Sequence, residues 1–182
     1  MKRWFLLPAV SAVVAVFASA QEVGRDSEPT HVQQLLRNQK LVHTLVDGGL
    51  SLAAADGPIN RAECVSKMAE HLAREIREAA LNKEGDRALE LGQHLQSLLK
   101  KGVASNLHFA RSQTTAGSTM APQLVKVGEE LDRLLRPMEQ ELEQLRAGDQ
   151  DPMGRTLTAI RDGRKEVERA IVGPGPVERK KP

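Results

Sequence analysis

Aromatic side chains are almost missing from this chain. It has no tyrosine, one tryptophan and three phenylalanines in 182 residues, and Trp4, Phe5 and Phe17 all sit in the first seventeen positions. Phe109 is the only ring further on. Base-stacking platforms and cages for quaternary amines need several rings, so single-stranded nucleic-acid binding and choline-type recognition are excluded as expectations. Cysteine is as scarce: Cys64 stands alone, and its surroundings match no established zinc-finger spacing. β-branched alternation is missing and no turn dipeptide stands between two alternating runs, so there is no hairpin signal, which argues against strands. None of Ser51, Ser66, Ser97, Ser105 and Ser112 lies in a G-x-S-x-G context, no Gly-rich phosphate loop follows a strand, and HExxH does not occur. No pair of Glu-x-x-His segments stands on facing helices, as a di-iron bundle needs. These gaps predict a protein that is not an enzyme and carries no cofactor.

The longest apolar run is N-terminal. "MKRWFLLPAVSAVVAVFASA" has a basic start, an uncharged stretch from Trp4 and a small-residue end at Ala18-Ser19-Ala20. This is the plan of a secretory signal peptide over 1–20, cleaved near Ala20-Gln21, with an uncleaved membrane anchor as the alternative. Cleavage removes Lys2 and Arg3 and leaves 24 basic against 24 acidic residues. A neutral mature chain gives no argument for nucleic acid or anionic lipid. No later segment is apolar enough to span a bilayer, so the expected location is periplasmic or extracellular.

What is present is leucine, alanine and valine at helical spacing. After a polar leader at 21–29, Thr30 caps a helix running to about Ala55. Val32, Leu36, His43, Val46 and Leu50 lie on one face, read as the core face, and Leu41, Leu45 and Leu52 on the other. Asp56-Gly57-Pro58 stops it, and Asn60 with Glu63 forms a capping box for a second helix to about Lys83. Gly85 and Asp86 open a third, ending at Lys100-Lys101-Gly102 or continuing to about Arg111. Residues 112–119 form a linker. From Thr119 and Pro122 runs a long amphipathic segment whose leucines alternate in steps of three and four, with Pro137 kinking or splitting it. Asp151 and Pro152 start a last helix whose thin stripe is broken by Arg164, so loose docking is expected. Residues 173–182 read as a disordered tail. The predicted fold is all-α: an antiparallel bundle of four to five helices, with a three-helix core over 30–111 and two further helices over 120–172.

Two groups of residues carry candidate roles. Leu124, Val127, Leu131, Leu134, Met138, Leu142 and Leu145 form a seam that either completes the bundle or pairs with another chain, an envelope protein or a second copy. Cys64, Met68 and His71 share one row at the edge of the second helix's apolar face. That row gives an alternative function, soft-metal binding (copper or zinc) or thiol redox sensing, with His43, His94 and His108 as further potential ligands. Cys64 alone is also a candidate for an intermolecular disulfide. His43 itself is expected as a buried neutral core histidine. Glu129, Glu130, Glu139, Glu141 and Glu143, alternating with Arg133, Arg136 and Arg146, read as a solvated, ion-paired face.

The stretch "LVDGGLSLAAADGPINRAECVSKMAEHLAREIREAA…DRALELGQHLQSLLKKGVASNL", over 41–107, resembles helical segments of uncharacterised exported bacterial proteins. The resemblance implies an envelope location and no activity. No specific small molecule is implied by any segment. The function expected from the sequence is therefore helix-mediated protein–protein association in the cell envelope.

Overall fold

A computed structural model describes residues 31–114 and 120–172. The signal peptide, the polar leader, the Thr30 and Thr119 caps, most of the 112–119 linker and the tail lie outside the described residues. The described chain is all-helical: α1 (His31–Ala54), α2 (Pro58–Leu81), α3 (Gly85–Ser97), a π-helical segment (Leu98–Ala104), α4 (Ser105–Ser112), α5 (Met120–Leu145) and α6 (Pro152–Val172). From α3 through the π segment to α4 the helix does not break, so 85–112 is one rod.

The connections are made by backbone chemistry that the sequence only half reveals. Gly57 precedes α2 at φ +81, a value natural to glycine, and Pro58 occupies the first helical position. The Asn60–Glu63 capping box does not form. Asn60 lies inside the helix, where its side-chain amide donates to the Asp56 carbonyl at 2.8 Å. At the other end of α2 the left-handed residue is Lys83 (φ +60), not the glycine two positions on. The Glu84 N–H donates to the Ala79 carbonyl at 2.8 Å and the Lys83 N–H to Ala80 at 3.1 Å, the paired bonds of a Schellman ending. Gly85 is then free to open α3, where a Cβ would press on the Pro152 ring at 3.0 Å.

The rod needs its π segment because of its leucine spacing. Leu91, Leu95, Leu99, Val103 and Leu107 follow one another in steps of four and are all buried. On an α-helix each such step advances the stripe by about 40°, so the later members would rotate away from the core. A wider turn with i→i+5 bonding takes up that drift. Gly102 therefore does not end the helix. It lies inside the π segment against α2, where a Cβ would come within 2.5 Å of Val65 Cγ1.

One apolar cluster joins α2, the rod, α5 and α6, so the core is not confined to 30–111. Leu72, Ile76, Leu95, Leu99, Leu107, Leu135, Met138, Leu142, Leu157 and Ile160 are its largest fully buried members. The π segment and α4 are packed by both α2 and α6, and α5 also lies against both. α5 passes through Pro137 as one helix, so the division at Arg136 does not occur. Pro137 and Arg133 are exposed, and the carbonyl that loses its donor there is open to water. α6 docks closely rather than loosely. Met153, Leu157, Ile160, Val167 and Ala170 are buried, and at Gly163 a Cβ would meet Leu99 Cδ1 at 2.8 Å.

Candidate functional site

α1 differs from the other long helices: none of its side chains over 32–54 is fully buried, and it packs mainly on α2. Leu41 and Leu52 rest on the core. Gly48 lets α2 approach, since a Cβ there would lie 2.6 Å from Met68 Cγ. On the same side Arg37 pairs with Glu78 and Glu84, each at 3.1 Å, and Arg87 adds Glu75 at 3.4 Å. These contacts fix which side of α1 faces inward. It is the side of Leu41 and Leu52, opposite to the expected one.

The other side is left in solvent. Val32, Leu35, Leu36, Val42, Val46 and Leu50 are between 54% and 70% exposed. At 100° per residue they fall, with Gln39, His43, Ala53 and Ala54, inside an arc of about 120°. No acid, lysine or arginine interrupts that arc. His43, expected in the core, is exposed on this face. Leu35 and Val42 were not singled out by periodicity, although the run of uncharged positions on this side is visible in the sequence. Lys40 and Asp47 border the arc on one flank, and neither has an ion pair among the described residues.

Between α1, α2 and α3 opens a cleft of about 700 Å³, lined by Leu41, Leu45, Met68, Leu72, Leu91 and Leu98. Its charged end, Glu84 and Arg87, is already engaged in the Arg37 ion-pair cluster.

The seam of α5 is occupied from within. Leu124, Val127, Leu131, Met138 and Leu142 are buried, Leu134 is half-buried and Leu145 is exposed. α5 packs on α2, α4 and α6, so an outside helix would find little of that seam free. The carboxylates beside it are not uniformly solvated. Glu139 is buried, 6% exposed, against Arg164. Glu141 takes a bidentate pair from Arg77 at 2.7 and 2.5 Å, and Glu143 accepts from Arg161 at 2.8 Å.

Cys64, Met68 and His71 keep their row on α2, each half-buried. Met68 packs at the α1 crossing through Gly48. Among the described residues no three His, Cys, Asp or Glu side chains gather to hold a metal ion, and His94 and His108 are exposed. No described helix is long and apolar enough to cross a membrane.

Compared with protein-family models, with curated proteins and with solved structures, the chain has no match.

Proposed function

We propose that this is an exported, non-enzymatic helical protein of the cell envelope, periplasmic or extracellular, that acts by helix-mediated protein–protein association, with the outward face of α1 as its contact surface. One observation carries the reading. Six large apolar side chains of a single helix, each more than half exposed, share one uncharged face. Isolated exposed leucines are ordinary, but a contiguous stripe on one helix is what binding surfaces leave behind when the partner is away. The N-terminal signal plan supports the location. The bundle we infer is antiparallel, as short connections at 55–57 and 82–84 favour, with α5 bent at Pro137.

The test compares the exported wild-type protein with Val46→Asp. Gentle extraction and size fractionation of the envelope should place wild type in a larger particle than the variant. Identical migration of the two would overturn the assignment of α1. Mass spectrometry of the same sample reads the N-terminus, and an intact Met1 would contradict cleavage.

A further inference from the structure

Resting on that reading of α1, we propose that its partner is a second copy of the same chain, and that the two α1 helices pair antiparallel about a two-fold axis near residues 44 and 45. The first argument is charge. Lys40 and Asp47 are seven residues apart, so they lie one above the other on the same flank of the apolar face. They are opposite in sign and have no ion pair of their own among the described residues. Under an antiparallel two-fold, like flanks of two helices face each other. Lys40 of one copy then meets Asp47 of the other, twice over. In a parallel pair the flank of Lys40 would face the opposite flank, which holds only Leu35, Val42 and Gly49. The charges select antiparallel pairing of a helix with itself.

The second argument is register. The alignment that brings Lys40 to Asp47 also places Leu36 opposite Ala53, Gln39 opposite Leu50 and His43 opposite Val46. Each layer then occurs twice by symmetry, which is the self-complementarity of an isologous interface. The third argument is area. At roughly 100 Å² for each of six side chains more than half exposed, the face offers on the order of 600 Å² per copy. That approaches the ~800 Å² per partner of a standard interface and stands at the upper end of the patches a monomer shows, about 300–600 Å². The opposite side of α1 stays on α2 throughout, so pairing requires no rearrangement of the bundle.

Light scattering of the exported protein in the presence of a thiol reductant tests this. Wild type should be a dimer at tens of micromolar, and Val46→Asp a monomer with unchanged helix content by circular dichroism. Lys40→Asp and Asp47→Lys should each weaken the dimer about tenfold, because every substitution makes two like-charge contacts. Combined in one chain, the two substitutions should restore wild-type affinity. A wild-type monomer at these concentrations would overturn the self-pairing. A dimer that survives Val46→Asp, or that dissociates with reductant, would overturn it equally, since another face or Cys64 would then be responsible. A monomeric wild type that still migrates in an α1-dependent larger particle from the envelope would overturn self-pairing and leave the association reading standing. A monomer whose migration ignores α1 would remove both.

Discussion

Gly154→Ala should cost about 3 kcal/mol of stability, lowering the melting temperature by roughly 6–12 °C for a domain of this size. The reason is backbone crowding. A Cβ on Gly154 would lie 2.1 Å from the Gly148 carbonyl oxygen and within 2.9 Å of two Asp149 backbone atoms. No flexible side-chain end is available to move aside. The connector between α5 and α6 folds over the first turn of α6 and is held there by Asp151. That carboxylate accepts from the N–H of Gly154 at 2.6 Å, of Gly148 at 2.9 Å, and of Ala147. Pushing the connector outward breaks the same bonds. Gly148→Ala is the control, because a Cβ on Gly148 would meet nothing within 4 Å; thermal unfolding should move by less than about 0.5 kcal/mol. A Gly154→Ala variant as stable as wild type would contradict the described connector.

The pH dependence separates this cause from a general loosening. The Gly154 N–H, with those of Gly148, Ala147 and Met153, holds the Asp151 carboxyl below its ordinary value of 3.8, against a smaller opposing effect of burial. A depressed folded-state pKa stabilises above the unfolded value, and the contribution is lost as pH falls through the folded one. Wild type should therefore lose this increment only in strong acid, below pH 3.8, and Gly154→Ala should show a smaller acid-dependent loss.

Glu139→Ala is the second large effect, expected at roughly 2–3 kcal/mol by denaturant unfolding. Glu139 on α5 is buried, and Arg164 on α6, 22% exposed at its side chain, faces it at 2.8 Å. The Nε and Oε1 atoms of that contact make an ion pair without hydrogen-bond alignment, and Arg164 Nη2 donates to Glu139 Oε2 at 3.4 Å. Asp132 accepts from Arg164 at 2.9 Å and Glu168 at 3.3 Å. Burial alone would lower the guanidinium pKa, but Glu139, Asp132 and Glu168 outweigh it and the net shift is upward. Removing Glu139 leaves a cation between two helices with partners only at its edge. The double variant Glu139→Leu, Arg164→Met should recover most of the loss, since replacing both members of a buried pair by apolar groups is close to neutral. A double variant no better than Glu139→Ala would show that the pair does not act as a unit.

How far the sequence could be read depends on whether a residue type has one structural use or several. Asp56-Gly57-Pro58 has one: the positive φ and the proline together end a helix and start another, and they do so here. The step pattern of α5 marks an apolar stripe whatever covers it, and Leu124, Val127, Leu131, Leu135, Met138 and Leu142 are buried along it. Gly102 has two. Next to lysines it reads as a helix end, but glycine also permits a close crossing, and only Val65 of another helix decides between them. Arg164 reads as an interruption until Glu139 is placed opposite it. α1 is the hardest case, because both of its sides are apolar. The choice rests on Gly48 meeting Met68 and on Arg37 meeting Glu78 and Glu84, contacts invisible in any single helical pattern. The candidate surface followed from that choice, which is why α5 and not α1 looked like the binding helix.

The π segment of the rod has a consequence for how this chain can change over time. It works as a phase adjuster: the stripe before it and the stripe after it face one core only because the turn between them is underwound. Point changes on the exposed side leave that phase alone. Relaxing 98–104 to ordinary α geometry at its present length would swing Leu107 and Ala110 by about 100° relative to Leu91 and Leu95, and losing one residue as well would cancel most of that swing. Along this stretch residue count and helix type are therefore coupled: the rod can shed one residue only by giving up its π turn, and it keeps its stripe in register when both change together.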